Sequence, residues 1–580
     1  MLTMFGQSES QITEVMEVDS STNLEEIDDN GEAIDFDNVD LDLDDDYEDQ
    51  FNENVDETPM YTNKTFPPLD EPLSLYLFFF VILFKTKFLT DDQTELLMEC
   101  MNVVLLFTNM KYRFPVKATT LLSSSELLKR CYEGVTQYSV CKCCHRLYRL
   151  NENGRSTVTV CRKCDESLII GGTSNSHLPK MLFEYNCIVS TLKKFMCRQG
   201  FVDSLLKWKS RPQQQNLMLD VYDGNVWKQF GSHSSGGIYL TIQNLARDER
   251  NLKENVICVG LLPGPKEPSG AEINNYLSPL VDELSVLFDE GVLMDVLVDG
   301  ALKKERMRAA LTMVACDLPA ARKLCGFTAG NSNCACHKCL KQFGSLDGDM
   351  MRRDFRNFDM ASWIPRTNYT HRQAAMEWYQ QLNETSKSRH ANLHGTKYSE
   401  LLRLRYFDPV VFTVVDPMHN LYLGTAKKMM MIWRTTIKNR RLMLTNDDMK
   451  KVAEARNIQL PVGYDSSSLI RKMTTGEIGF SHLKADERKV WVTSISKVLL
   501  LGKLDRQYYQ HWLKFVDANI LIASPSITTE DVEEAHRLLI SFCSEMEGLY
   551  GAKNIYQHAF TRALKRRHNE LWSCLWLLGV

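Results

Sequence analysis

Four cysteines constrain the fold of this chain more than any other feature. They form two Cys-x-x-Cys pairs with sixteen residues between them: Cys141 with Cys144, and Cys161 with Cys164. Two such pairs can supply the four thiolates that a tetrahedral Zn²⁺ site needs. A polar Asn-Glu-Asn-Gly turn at 151–154 predicts a hairpin between the pairs. We therefore predict a zinc-ribbon-like module over residues 131–170, with a structural metal. Cys143 is the spare thiol, and its exchange with Cys144 as a ligand stays open.

Charge divides the chain into two unlike parts. The first 60 residues contain 21 Asp and Glu and no Lys or Arg, which leaves 53 acidic and 68 basic residues beyond them, a net charge of +15. The acidic part contains too little apolar surface to build a core, so residues 1–65 are predicted to be a disordered tail. This tail either solubilises the chain or acts as an interaction arm. The positive remainder is compatible with binding to phosphates of nucleic acid.

Cysteine usage and hydropathy restrict the compartment. Seventeen cysteines without a signal peptide favour a reducing compartment and metal sites over disulfides. One apolar run, residues 73–84, is about twelve residues long, whereas a membrane span needs about 20. We interpret this run as a buried helix that leads into a second helix after residue 91. No membrane partner is expected.

The order of apolar segments predicts several domains. A helical N-terminal segment covers 66–130, and linker helices follow the cysteine module over 180–214. Over 215–340, short apolar strands alternate with helices, which is typical of an α/β domain. Residues 341–555 are mainly helical, with a polar stretch near 365–395 that we expect to be flexible. The predicted elements of the α/β domain are strands at 216–222, 237–244, 256–262 and 308–316, and a helix at 271–288.

Two carboxylates follow predicted strands of this domain. Asp223 precedes a glycine at the end of the strand at 216–222, with Asp220 as a competitor for the same role. Asp317 follows the apolar run at 311–315. Carboxylates at adjacent strand ends can share divalent metals about 4 Å apart, which activate a water or a 3′-hydroxyl for attack on a phosphodiester. An Asp-Gly pair is also an ordinary turn signal, so Asp223 alone favours a turn.

Other candidate ligands lie further along the chain. Cys336 and Cys339 form a third Cys-x-x-Cys pair, which prefers zinc, and His337 between them is expected to point away from the metal. Asp416 and His419 lie three residues apart. His419 can orient a carboxylate or bind a metal, and Asp416 can equally be the N-cap of a helix.

Several motifs occur in an order that resembles the CACTA (En/Spm-like) DNA transposases. They are LLPGPKEP (261–268), YLSPLVDEL (276–284), DLPA (317–320), the pair Cys336 and Cys339, DPMHNLYLG (416–424), and LKADE (483–487) before Trp491. The resemblance covers residues 215–500, and the cysteine module also fits it. It implies an RNase H-like α/β core with a large, mainly helical insertion. It also implies Mg²⁺ or Mn²⁺ held by an Asp/Asp/Glu triad.

The same resemblance implies roles for single residues. Asp223 corresponds to the first carboxylate and Asp317 to the second, while Glu487 is the remaining candidate for the third or a surface residue. In related recombinases of the RAG and Transib type, a later histidine pair completes the zinc site that the Cys-x-x-Cys begins. Here residues 556–580 stand in place of that histidine string, and a shift of one nucleotide can spell a string close to it. We therefore predict an out-of-frame tail from Tyr556 and weak zinc binding at the third Cys-x-x-Cys pair.

These observations leave two main functions open. The first is a CACTA-type transposase that uses a divalent metal to cleave transposon ends and transfer them to target double-stranded DNA. The second is a non-enzymatic, zinc-containing remnant that binds DNA or protein, and a third reading makes the acidic tail an activation arm of a transcriptional regulator. No small-molecule substrate is expected, a homo-oligomer stays open, and a nuclear location follows from the function alone.

Overall fold

A computed structural model describes most of the 580 residues, and the chain divides into two compact units. The smaller unit is Ser8–Val135, and the larger unit is Met1–Gln7 with Thr136–Val580. The residues that the structure describes are 2–6, 67, 71–118, 120–121, 133–151, 154–170, 177–207, 217–218, 237–264, 267–346, 349–356, 358–438, 441–445, 447–448, 483, 485–524 and 526–551.

The smaller unit contains a pair of helices, α1 (Pro72–Lys87) and α2 (Asp91–Phe107). Thr90 begins α2 with a capping box, in which its hydroxyl accepts the Gln93 amide and the Gln93 side chain accepts the Thr90 amide. The helix predicted over 73–84 is present, but only one side of it is buried, since Phe79 is 56% exposed. Within the described part of the chain, no helix combines the length and apolar character needed to cross a bilayer.

The larger unit contains a five-stranded sheet. In spatial order its strands are β3, β2, β4, β6 and β5. The pairs β2–β3, β4–β6 and β5–β6 are antiparallel, with Tyr138 opposite Arg149 and Tyr185 opposite Gly260. The predicted strands at 237–244 and 256–262 are therefore confirmed with slightly shorter bounds. The five strands are β2 (Val135–Val140), β3 (Leu147–Arg149), β4 (Leu182–Asn186), β5 (Gly237–Thr241) and β6 (Val256–Leu261).

A second, antiparallel sheet has the order β1, β8, β7. Asp299 and Gly300, both with positive φ, connect β7 (Val292–Val298) to β8 (Ala301–Leu311) in a two-residue hairpin. The strand predicted at 308–316 thus begins earlier and ends at Leu311. The first strand, β1 (Leu2–Gly6), pairs with β8, so these five residues of the predicted tail form a strand, and residues 7–65 lie outside the described residues.

Three helices pack on the core between these strands, where Tyr276, Leu284 and Phe183 are fully buried. The helix predicted at 271–288 is confirmed as Ile273–Asp289. Its apolar residues recur at helical spacing, which is why the sequence predicted it. These helices are α3 (Ile188–Met196), α4 (Phe201–Leu206) and α5 (Ile273–Asp289).

Among the described residues after Asp317, most elements of the larger unit are helices. The polar stretch at 365–395, expected to be flexible, instead forms two capped helices. Trp433, Trp491 and Trp512 lie together in a second core of the helices after residue 415. The helices are α6 (Leu318–Leu324), α7 (Asn368–Tyr379), α8 (Glu384–His394), α9 (Met418–Ala426, a π-helix), α10 (Lys427–Thr435), α11 (Ala485–Val490), α12 (Arg506–Ile522) and α13 (Thr529–Tyr550).

Shorter elements connect these helices and strands. The helical turns are Arg247–Arg250, Lys253–Asn255, Met360–Ser362, Glu400–Arg403, Pro409–Phe412, Trp491–Ile495 and Ser496–Leu499. The short strands are Leu217–Met218, Ser345–Leu346, Asp349–Arg353, Ile437–Lys438, Arg441–Leu442 and Ile527–Thr528. Of the strand predicted at 216–222, only Leu217–Met218 lies among the described residues.

Candidate functional site

The two Cys-x-x-Cys pairs of the cysteine module converge on one point. The four sulfur atoms of Cys141, Cys144, Cys161 and Cys164 all lie within 4.8 Å of one another. The Sγ atoms of Cys141 and Cys164 are 3.4 Å apart, and those of Cys144 and Cys161 are 3.5 Å apart. Four thiols at these separations fit a tetrahedral Zn²⁺ site with no open coordination position.

The two halves of this module have the same backbone geometry. After the first pair, His145 adopts φ of 56° and its amide donates to the Cys141 carbonyl at 2.9 Å. After the second, Asp165 adopts φ of 55° and its amide donates to the Cys161 carbonyl at 3.0 Å. Each pair therefore forms a tight turn that presents two sulfur atoms on one side. Cys143 is exposed and lies outside the group of four.

A tyrosine supports the second pair. The Tyr148 hydroxyl donates to the Cys161 sulfur at 3.2 Å and accepts the Arg162 amide at 2.8 Å. Burial acts to raise the pKa of the Cys161 thiol. Hydrogen bonds from Tyr148 and from the backbone amides of Lys163 and Cys164 outweigh burial and lower this pKa to about 6. At Cys141 burial dominates and raises the pKa of the thiol.

The module is fixed to helix α5. His145 Nδ1 and the Tyr276 hydroxyl form a hydrogen bond of 2.7 Å, and the Asn275 side chain donates to the Cys144 carbonyl at 3.4 Å. Tyr276 is fully buried, so this contact joins the cysteine module to the core beneath the five-stranded sheet. Around the module, several basic side chains are exposed: Lys142, Arg149, Arg162 and Lys163.

Asp317 lies at the start of helix α6. Its Oδ1 accepts the Ala320 amide at 2.8 Å, which makes Asp317 the N-cap. The chain reaches this point in an extended conformation, in which Val314 forms a parallel bridge with Thr413. The sequence predicted that Asp317 directly follows a strand at 308–316, but the strand ends at Leu311. The apolar run at 311–315 ends in an isolated bridge and not in the regular strand β8.

Asp416 and Asp317 follow two segments that a parallel bridge joins. The bridge pairs Val314 with Thr413, and each aspartate follows three residues later on its own segment. Because the two segments run parallel, equal offsets bring the carboxylates to the same end. The charges of both aspartates act on Cys316, whose pKa is raised by burial first and then by neighbours that include these two carboxylates.

Hydrogen bonds hold the Asp416 carboxylate in a fixed position. Its Oδ1 accepts the Met418 amide at 2.8 Å and the His419 amide at 3.4 Å, while Oδ2 accepts His419 Nδ1. The carboxylate is buried, whereas 43% of the His419 side chain is exposed. Asp416 thus accepts amides of the first turn of helix α9, and His419 orients its carboxylate, which is one of the roles considered for His419.

Of the other two proposed catalytic residues, Glu487 is described by the structure and Asp223 is not. Glu487 lies on helix α11, which packs against α9, the helix that Asp416 begins. The Glu487 side chain is half-buried. Asp223 lies outside the described residues, as do Asp220 and the tail at 556–580.

Cys336 and Cys339 are buried side by side in a loop. Each sulfur accepts a backbone amide, from Lys338 at 3.3 Å and from Lys341 at 3.2 Å. Among the residues that the structure describes, no third His, Cys or carboxylate joins this pair at ligand distance. His337 is 1% exposed and lies against Phe327, with ring centroids 5.7 Å apart. The pair offers half of a zinc site.

Sequence reasoning did not pair Asp416 with Asp317. A signal was available, because each aspartate follows a short apolar segment and precedes Pro or Leu-Pro at a helix start. Such a signal is weak without knowledge of which segments are adjacent. The same reasoning also missed Glu377, His390 and His394, which form a second group of candidate metal ligands.

Comparison with known families supports a transposase. Residues 212–381 match the model of the transposase family tnp2. The match covers less than a third of the chain and includes Asp317, helix α5 and the pair of Cys336 and Cys339. No curated protein gives a significant match. The matched part of the chain is thus similar to a transposase family, which in turn implies interaction with DNA.

Proposed function

We propose that this chain is a CACTA-type DNA transposase with an RNase H-like core, whose reaction centre includes Asp317 and Asp416. The observation that carries the proposal is the parallel bridge between Val314 and Thr413, which brings the two aspartates to one end of adjacent segments. The tnp2 match and the ordered CACTA motifs supply the reaction class. In that reaction a water oxygen bonds to phosphorus at the transposon end as the 3′-oxygen leaves. The freed 3′-hydroxyl oxygen then bonds to a phosphorus of target DNA as the target strand's 3′-oxygen leaves.

The two carboxylates fit a hard divalent cation such as Mg²⁺ or Mn²⁺. Asp416 is buried and Asp317 begins a helix, and both have one oxygen held by backbone amides. Carboxylate oxygens are the ligands that these cations prefer. When bound, such cations activate the attacking oxygen and stabilise the leaving oxygen of a phosphodiester.

The residues around Asp416 orient the pair. His419 Nδ1 donates to Asp416 Oδ2, and amides of the first turn of α9 hold Oδ1. A carboxylate fixed on both oxygens loses little rotational freedom when a cation or substrate binds. Glu487 and Asp223 remain proposed partners that complete the acidic set, with Glu487 on the helix that packs against α9.

The cysteine module has a separate role in this proposal. Its four thiols form a closed site, which suits a structural Zn²⁺ and leaves no position for substrate. The exposed basic side chains around it are suited to contacts with DNA phosphates. We therefore propose that the module binds transposon DNA, fixed to the core through Tyr276.

A nicking assay tests the two carboxylates. The full chain is incubated with Mg²⁺ or Mn²⁺ and a supercoiled plasmid that contains the DNA flanking its own locus. Asp317→Asn and Asp416→Asn should each reduce nicking about 10³-fold, since losing one charged ligand costs roughly 4 kcal/mol of transition-state stabilisation. Asn is as good an N-cap as Asp, so both variants should stay folded.

Asp408→Asn is the matched control. Asp408 caps the helical turn Pro409–Phe412, where its Oδ1 accepts the Val410 and Val411 amides at 2.8 and 3.0 Å. It should nick DNA at the wild-type rate. Wild-type nicking that survives Asp416→Asn would remove Asp416 from the site, and survival in Asp317→Asn would remove the whole assignment. A wild-type chain that binds this DNA without nicking it favours the non-enzymatic remnant.

A further inference from the structure

Helices α7 and α8 form a helical hairpin in which both helices are capped. The Thr367 hydroxyl accepts the Thr370 amide at the start of α7, and the Asn383 side chain accepts the Ser386 amide at the start of α8. Gly395 ends α8 with φ of 68°. Two capped helices joined by a short turn can hold side chains of both helices at one site.

Three potential metal ligands meet between these helices. His390 and His394 lie one turn apart on α8, and Glu377 lies in the last turn of α7. Glu377 Oε2 is 3.0 Å from His390 Nε2, and the two imidazole rings stack with centroids 4.3 Å apart and planes at 25°. One ligand atom of each residue lies within 4.8 Å of the others.

An ion pair between Glu377 and His390 explains the contact of these two side chains, but it does not explain why His394 stacks on His390. A single carboxylate can balance the charge of one imidazolium, whereas two stacked imidazolium rings would repel each other. Two neutral imidazoles and one carboxylate are a common ligand set for Zn²⁺, and histidines at i and i+4 of a helix present both rings on one side. One divalent cation can engage all three side chains together.

We propose that Glu377, His390 and His394 bind one Zn²⁺ ion that joins helix α7 to helix α8. Two nitrogens and one carboxylate favour this borderline metal over Mg²⁺, which prefers oxygen alone. Three protein ligands leave a fourth position for water, and 44% of the Glu377 side chain is exposed, so the position is accessible. None of these three ligands is shared with the Asp317 and Asp416 pair or with the cysteine module.

The position of His394 gives this metal a structural consequence. The next residue, Gly395, accepts the Thr328 amide at 3.1 Å, and Thr396 accepts Arg366 Nη1 at 2.8 Å. Lys397 then donates its amide to Gly326 at 2.7 Å. Since these contacts hold the end of α8 against the segment after α6, a metal at His394 should reduce local opening of that segment.

Metal counting on the full chain tests the proposal. The reduced protein is stripped with a chelator, loaded with Zn²⁺ or Co²⁺ and separated from free metal. His390→Ala/His394→Ala should bind one equivalent fewer than wild type, with unchanged thiolate-to-cobalt charge-transfer absorption. Cys161→Ser/Cys164→Ser should also bind one fewer but lose that absorption. Asn392→Ala, an exposed change on the same helix, should bind as much as wild type.

A second variant guards against loss of folding. Glu377→Gln keeps the shape of the side chain and should weaken Zn²⁺ binding at this site about 100-fold. Its circular dichroism should match wild type, and amide exchange at 390–397 should no longer slow when Zn²⁺ is added. If the double histidine variant binds as many equivalents as wild type, or if Glu377→Gln binds Zn²⁺ as tightly, the proposal is wrong.

Discussion

Acidification should loosen the helical core around His511. This histidine on α12 is 1% exposed, and its Nε2 lies 2.8 Å from the Phe542 carbonyl, to which it donates. Its Nδ1 lies 3.3 Å from the Tyr550 hydroxyl, and Tyr550 also receives the Trp433 indole N–H at 3.3 Å. With Nε2 as the donor, Nδ1 accepts from Tyr550, so this network requires the neutral imidazole.

The size of the effect follows from the pKa of His511. Burial removes water from the imidazolium and lowers the pKa from 6.5 to about 4, and Lys514 acts in the same direction. The Phe542 carbonyl and Glu545 oppose this change. Below pH 6.5 the imidazole of His511 binds a proton in the unfolded segment, whereas in the folded segment it binds one only near pH 4. Stability should therefore fall as pH decreases, by about 2 kcal/mol at pH 5 and about 3 kcal/mol below pH 4.

Amide exchange of Arg506–Ile522 at pH 7 and pH 5 measures this loss as a local opening free energy, once intrinsic exchange rates are removed. His511→Gln keeps a donor for Phe542 but does not titrate, so its loss between the two pH values should be about 2 kcal/mol smaller than in wild type. His536→Gln, on the neighbouring helix α13, is the control and should behave like wild type. Equal losses in His511→Gln and wild type would refute the reasoning.

Two further substitutions test the packing near the candidate sites. Gly395→Ala should destabilise the larger unit by at least about 3 kcal/mol, because φ is positive and a Cβ would lie 2.1 Å from the Cys334 carbonyl. Gly502→Ala, with φ of 69° and no described atom within 4 Å, should cost about 1 kcal/mol in the same melting experiment. Tyr406→Phe removes the hydroxyl that accepts the Leu311 amide at 3.0 Å and should cost about 1–3 kcal/mol. Tyr379 is 40% exposed, so the free energy of unfolding of Tyr379→Phe should stay within about 0.5 kcal/mol of wild type.

Local patterns predicted the cysteine module and several elements well. The spacing of Cys141, Cys144, Cys161 and Cys164 was enough, because each turn is made by five consecutive residues and the two turns are close in sequence. The strands Gly237–Thr241 and Val256–Leu261 and the helix Ile273–Asp289 also followed from apolar periodicity.

Other elements depended on partners that are distant in the chain. The first half of β8 is exposed and rich in charged residues, so its strand conformation comes from pairing with β7, while Leu2–Gly6 pairs with the second half. The polar residues at 365–395 form α7 and α8 because caps begin each helix and because α8 ends against the loop at Cys334. Periodicity does not report such contacts.

The cysteine module, the mixed α/β architecture and the resemblance to a transposase could be read from the sequence, since they rest on spacing within short segments and on ordered motifs. The pairing of the segments before Asp317 and Asp416, and the meeting of Glu377 with His390 and His394, depend on packing of distant parts of the chain. The physical reason is the same in both cases. A side chain's local sequence sets its backbone conformation, but packing of segments far apart in the chain sets which charges lie within reach of one another.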